Sequence, residues 1–318
     1  MLTDLLKRPG HLAEFAGTAA FLFAAQALPL EEALRLGEWG GRRVMAWTPT
    51  RVRIVMDNLR RSFPEKTDAE LRTICRGVFE HFGRAAVEIA VAHRLIRSSN
   101  WRDHIVFRNE HILHDVLAEG KGAIFLTGHL GVYEIFGLLL SFRGAELVSV
   151  YRPIKNPLID RLIRRRRTAF RQVVVERQGA LPALWRVLRN KGYVGLVVDQ
   201  HIRRDGVWVP FFGRPASTTP APALLALRTG APIVVGCARR LPGLFRFEVV
   251  ADEPIRARPS RDRERDVLEL TARLTRRIED HIRETPEQWL WMHRRWRPVP
   301  PEDLAKGNVY VGPAGQAD

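Results

Sequence analysis

The sequence predicts an α/β protein, with a mostly parallel central sheet flanked by helices and a helical, membrane-associating region in front of it. Three observations carry that expectation. From about residue 122, short continuous apolar runs alternate with amphipathic stretches, the texture of buried parallel strands joined by helices. Residues 1–100 show helical periodicity instead. Within them, the 16 residues from Phe15 to Leu30 carry no charge.

At about 1.5 Å per residue, a helix over that uncharged run reaches roughly 24 Å, short of a hydrocarbon core of roughly 30 Å. It has no small-residue cleavage site after a basic start, so a cleaved signal peptide is not expected. A short anchor, an interfacial helix and a buried helix remain open, with membrane association of a helix over about residues 11–30 the favoured reading. Amphipathic helices follow at Pro29–Trp47, Val52–Ser62 and Thr67–His93, the last capped by Asp68. Glu110–Glu119 reads as a polar-faced helix.

The alternation then runs strand Ala123–Thr127, helix Val132–Phe142, strand Glu146–Tyr151 and a very basic helix Asn156–Phe170. It continues with strand Gln172–Glu176, helix Leu181–Asn190, strand Tyr193–Val198, a long apolar loop from Val207 to Thr219, and helix Pro220–Thr229. Strands Pro232–Ala238 and Leu244–Val250 and a charged helix Arg261–Glu284 complete the set. The expected division is a helical region over 1–100, an α/β domain over 101–298 and a loose Pro- and Gly-rich tail over 299–318.

With 51 Lys and Arg against 35 Asp and Glu, the net charge is +16, which favours a polyanionic partner: nucleic acid, an anionic bilayer or an acidic carrier protein. No nucleic-acid-binding motif is present, and nucleic acid is not expected as a partner. Cys75 and Cys237 have no metal-ligand spacing, so no metal is expected.

Polar residues follow three of the strands, where open α/β sheets usually place their chemistry: Thr127-Gly-His129-Leu-Gly131-Val-Tyr-Glu134, Tyr151-Arg152-Pro153 and Asp199-Gln200. His-x4-acid spacing is weak by itself: 10 histidines and 35 acids in 318 residues give roughly one match by chance. His114 and Glu119 also fit it, but inside a polar-faced helix. His129 instead follows a buried strand between Gly128 and Gly131, where backbone can turn sharply. Residues five apart on a helix do not face each other, so His129 belongs in the turn with Glu134 reaching back from the first helical turn. A carboxylate on one imidazole nitrogen leaves the other free to deprotonate a hydroxyl. No serine or cysteine stands beside His129 as a nucleophile, which implies direct attack by an acceptor. The plain alternative is a capped histidine in a structural turn. Arg152 has the fork that suits phosphate or carboxylate; Asp199 is placed to orient Arg152, to hold an acceptor, or to be the partner of His129. Trp289-Leu-Trp291-Met-His-Arg-Arg-Trp296 suits either headgroup depth or a stacked core.

These motifs, with Tyr151-Arg-Pro-Ile-Lys-Asn-Pro157 and Val209-Pro-Phe-Phe-Gly213-Arg-Pro215, resemble the bacterial lipid A biosynthesis acyltransferases of the lauroyl/myristoyl type, within the lysophospholipid acyltransferase-like superfamily. The resemblance covers nearly the whole chain. It implies an enzyme that moves a fatty acyl chain from a thioester to a hydroxyl of a membrane lipid, most naturally a lipid A precursor, at the cytoplasmic face of the inner membrane. The other readings are acylation of a glycosylated phospholipid, or a membrane-bound thioesterase or esterase. The implied partners are acyl carrier protein or acyl-coenzyme A as donor, a lipid acceptor and an anionic membrane surface, with no cofactor. By position, His129 and Glu134 match the family's dyad as catalytic residues, and Arg152, Asp199, Gln200, Gly131 and Gly213 fall in its motifs as substrate-binding or catalytic support. One departure stands out: after Asp-Gln the chain reads His201-Ile-Arg-Arg-Asp205, an unusually basic segment.

Overall fold

The computed structural model describes residues 9–169, 172–305 and 309–310. Four helices open it: α1 (Pro9–Ala27), α2 (Leu30–Trp47), α3 (Pro49–Ser62) and α4 (Asp68–Leu95). Asp68 is not the cap of α4. Thr67 is, through a reciprocal box in which Thr67 Oγ accepts from the Glu70 N–H and Glu70 Oε2 accepts from the Thr67 N–H at 2.8 Å. Asp68 is thereby left to pair with Arg60.

Helices α2 and α4 cross with their backbones almost touching, because glycines meet there: a Cβ on Gly41 would lie 2.1 Å from Phe79 O, and one on Gly83 2.1 Å from Gly37 O. Helix α1 is not a core helix, since Ala25 is its one fully buried side chain among the described residues. No described helix is long and apolar enough to cross a membrane. The wholly buried reading of this segment is therefore set aside, and so is a described span.

The central sheet has seven strands in the order β1-β9-β8-β2-β5-β3-β4. These are β1 (Ile105–Arg108), β2 (Ala123–Thr127), β3 (Leu147–Tyr151), β4 (Gln172–Glu176), β5 (Tyr193–Val197), β8 (Ile233–Arg240) and β9 (Phe247–Ala251). Every pairing is parallel except β8 with β9. Alternation splits the side chains of β2 between two cores. Ile124 and Leu126 join one with residues of α3 and α4, while Ala123 and Phe125 join the other. The connecting helices are α5 (Glu110–Ala118), α6 (Tyr133–Phe142), α7 (Pro157–Ala169), α8 (Ala180–Arg189), α9 (Ala221–Thr229) and α10 (Arg263–Glu284). Phe170, the expected end of the basic helix, lies outside the described residues.

The expected apolar loop after Asp199 is instead a hairpin, β6 (Val207–Phe211) and β7 (Arg214–Thr218), paired antiparallel. Its two-residue turn needs left-handed backbone, supplied by Phe212 at φ 51° and Gly213 at φ 68°. Part of the expected loose tail is held against it. Trp208 Nε1 donates to Asp303 at 2.8 Å, and Tyr310 N–H donates to Trp208 O. Residues 306–308 and 311–318 lie outside the described residues. Trp289 and Trp291 are fully buried and stack edge-on at 4.6 Å, so the core reading of the tryptophan motif holds for these two.

Candidate active site

Strand register builds the site. In the β2–β5 pair, Thr127 stands beside Val197. His129 and Asp199 are each two residues further on, so the parallel ladder delivers them side by side at the carboxyl end of the sheet. Asp199 then takes His129 at two points: Oδ1 accepts from Nδ1 at 2.7 Å, and Oδ2 accepts from the backbone N–H at 2.6 Å. Trp289 Nε1 donates to the same Oδ2 at 2.7 Å. Gly128 makes room for this carboxylate, since a Cβ there would lie 2.9 Å from Asp199 Oδ2.

Asp199 is 4% exposed, and that burial opposes ionisation. The imidazole of His129, its N–H groups and the Trp289 indole outweigh it and hold the carboxyl at about 2. Among the three roles open to Asp199 from sequence, the geometry selects partner of His129. With Nδ1 donating to Asp199, Nε2 carries the lone pair of a base. Gln200 Nε2 lies 3.4 Å from it. The ring of Tyr133 meets the imidazole edge-on at 5.4 Å.

Glu134 sits in the first turn of α6, as expected. It lines a cleft that runs under α6 across β2, β5 and β3, bounded by Thr127, Tyr133, Phe136, Gly137, Leu147, Gly195 and Gln172 and enclosing about 60 Å³. The walls are apolar except near Glu134 and at the far end, where Gln172 is 7% exposed and accepts from Ser149 Oγ at 3.4 Å. Gly131 serves the fold of the loop: its φ is +60°, and a Cβ would lie 2.1 Å from Ala238 O. The backbone N–H groups of Gly131 and Val132 are taken by Gln288 O and Ala238 O.

Arg152 is exposed just past the end of β3, the neighbour of β5. Gly213 is not drawn into this cluster. It is exposed in the hairpin turn, beside Phe212, whose N–H donates to Glu279. The sequence pointed to three polar strand ends and these are neighbours in the sheet. It did not point to Trp289 as a ligand of Asp199, because that contact joins residues 90 apart through tertiary packing alone. Among the described residues no group of His, Cys, Asp and Glu could hold a metal ion, and both cysteines are buried.

The profile of the bacterial lipid A biosynthesis acyltransferases matches residues 5–298. The lipid A biosynthesis lauroyltransferase of Escherichia coli (strain K12) is 29% identical over 307 residues, covering 93% of this chain and 94% of that one. The palmitoleoyltransferase of lipid A biosynthesis from the same strain is 24% identical over 288 residues, covering 89% and 90%. A phosphatidylinositol mannoside acyltransferase of Mycobacterium tuberculosis (strain CDC 1551 / Oshkosh) is 29% identical over 200 residues, covering 61% and 60%. A match that runs through the helical region, the sheet and the tryptophan motif places this chain in the bacterial lipid A biosynthesis acyltransferase family, and it is an acyltransferase.

Proposed function

We propose that this enzyme transfers a fatty acyl chain from an acyl carrier protein thioester to a hydroxyl of a lipid A precursor, at the cytoplasmic face of the inner membrane. One observation carries the reading: an imidazole already aimed by a buried carboxylate packs edge-on against Tyr133, a wall of the apolar cleft, and no serine or cysteine adjoins it in sequence. The thioester carbonyl rests near Nε2 of His129, and the first carbons of the acyl chain point toward the cleft under α6. Nε2 takes the proton of the acceptor hydroxyl as its oxygen attacks the carbonyl carbon. The tetrahedral intermediate collapses by breaking the carbon–sulfur bond, and the imidazolium returns its proton to the departing thiolate.

The N–H groups of His129, Gly131 and Val132 are already engaged, so the developing oxyanion falls to the Gln200 amide and the Arg152 guanidinium. Glu134, which lines the cleft from the first turn of α6, adds a second carboxylate to stabilise the imidazolium. The membrane face is supplied by α1 and α2, which turn Leu12, Phe23, Leu36, Trp39, Val44 and Trp47 to solvent. Arg42, Arg43, Arg51 and Arg53 are exposed in α2 and α3 and suit anionic headgroups. Acyl carrier proteins are acidic, which suits the net charge of +16.

Mass spectrometry of total lipid from cells with and without the enzyme tests this directly. The expected result is one fatty acyl mass missing from a lipid A species in the deletion, restored by the wild type and not by His129→Ala. General bases contribute about 10²–10⁴-fold, so the purified variant should lose at least about tenfold in transfer rate while remaining folded. Release of free fatty acid in place of an acylated lipid would make the enzyme a hydrolase, and a missing acyl group on another lipid would replace the acceptor.

A further inference from the structure

A cationic segment begins beside His129, directly after Gln200. Gln200, whose amide reaches His129 Nε2, is followed directly by His201-Ile-Arg203-Arg204-Asp205. This loop is fixed in place. The His201 N–H donates to His293 Nε2 at 3.0 Å, Ser217 Oγ donates to Ile202 O at 2.8 Å, and the His201 ring packs against Trp208 at 6.0 Å. The bond to His293 joins the loop to a second basic run, Arg294, Arg295 and Arg297.

Arg295 is 0% exposed yet meets no carboxylate directly among the described residues: it donates to Ser217 O and to Thr218 Oγ. Arg203, Arg204, Arg294 and Arg297 are exposed and make no ion pair among the described residues, with Asp205 the one acid in the loop. Burial, and then the charges of Arg297, Arg295 and Arg203, push the pKa of His201 below its ordinary value, and its Nδ1 is buried without a hydrogen-bond partner. Exposed like charges gathered on adjoining segments repel one another, a cost that an incoming anion removes.

We propose that Arg203 and Arg297, on segments joined by the His201–His293 hydrogen bond, form a binding site for a phosphate group of the acceptor lipid. The inference rests on the acyl-transfer reading above and names the chemistry of its acceptor. Guanidinium forks match phosphate oxygens, and both side chains are exposed on the segments that the His201–His293 hydrogen bond joins. Assignment to the acceptor follows from the two sides of His129. The acyl cleft is lined by Thr127, Tyr133 and Glu134, whereas Nε2, which receives the hydroxyl proton, is next to Gln200, where this loop begins. A headgroup phosphate on the loop would bring the sugar hydroxyl of the same lipid to Nε2, as positioning by a remote group does in general.

The test uses the full-length enzyme in detergent and inorganic pyrophosphate as probe, with binding followed by calorimetry. Arg203→Gln with Arg297→Gln should weaken pyrophosphate binding at least about tenfold, each charge-assisted contact being worth roughly 1.5–3 kcal/mol. Arg186→Gln with Arg189→Gln on α8 should leave it within about twofold, the size expected of a distant exposed charge. Equal binding by the wild type and the Arg203/Arg297 variant overturns the site, whether or not the enzyme transfers acyl chains. In the transfer assay, pyrophosphate should raise the KM of the lipid acceptor and leave that of the acyl donor unchanged. A rise in the donor's KM alone would assign the anion site to the donor's own phosphodiester and refute the acceptor assignment.

Discussion

At the scale of the residue, Asp199 carries the most. Its two oxygens hold the backbone and the ring of the same histidine, and Trp289 completes the set. Asp199→Asn keeps the shape but supplies an amide where Nδ1–H needs an anion, so the imidazolium formed during transfer loses its stabilisation. The variant should lose at least about a hundredfold in kcat with a smaller change in KM, measured by steady-state transfer, if the charge acts on the reaction. The same residue predicts a pH dependence of stability. Its pKa falls from 3.8 to about 2 on folding, so its contribution is fully present above pH 3.8 and lost as pH falls through 2. That contribution is about 2 kcal/mol. Urea unfolding of wild type and Asp199→Asn should therefore converge as pH is lowered toward 2. A gap that stays constant would mean that the charge is not what Asp199 contributes.

At the scale of the element, helix α6 and the strands beneath it make the cleft, and small residues keep it open. A Cβ on Gly137 would lie 2.4 Å from Gln172 Nε2. Gly137→Ala should gain about 1 kcal/mol of helix propensity while narrowing the far end. Displacing the buried Gln172 amide offsets that gain, at about 1–3 kcal/mol, so the expected outcome is an unchanged or slightly lower Tm together with a shift of donor preference toward shorter acyl chains, read by competing thioesters of different length. Unchanged chain preference would take α6 out of the acyl path. Elements were legible in the sequence where apolar pattern alone decides them. Ala123–Thr127 and Gln172–Glu176 form strands with the expected limits: the first is buried on both faces, and the second is a β-branched run at the sheet edge. The β6–β7 hairpin was not legible, because Pro210 and Pro215 interrupt its ladder and its turn uses Phe212 in a conformation β-carbon residues seldom adopt. Strand β1 has only four residues and gains its identity from pairing with β9, 142 positions away in register.

At the scale of the whole molecule, the helical region is bound to the sheet by more than apolar packing. Glu88 of α4 is 0% exposed and pairs with Arg84 and with Arg240 at the end of β8. Arg84 also pairs with Glu38 of α2, so the exposed apolar face proposed to meet the membrane is tied through α4 to the sheet. Trp39→Ala with Trp47→Ala should reduce partition onto vesicles containing anionic phospholipid at least about tenfold in a flotation assay, and leave turnover of detergent-dispersed substrates near wild type. Full retention on vesicles would move the membrane contact elsewhere. The site at this scale was half legible. Polar strand ends announce themselves in sequence because they interrupt apolar runs. Their choice of partners does not, since register, the tryptophan motif and the glycine clearances become defined only once the sheet is assembled.

The double hold of Asp199 on His129 has a kinetic consequence. An imidazole tethered at both its backbone and its ring has little rotational freedom left to lose when a substrate arrives. The base is aimed in the empty enzyme, so neither donor nor acceptor must bind first to complete it. On the direct-transfer mechanism proposed above, which forms no acyl-enzyme, both must be present together. The order in which they come is set by access from the bilayer and from solution, and not by the catalytic residues.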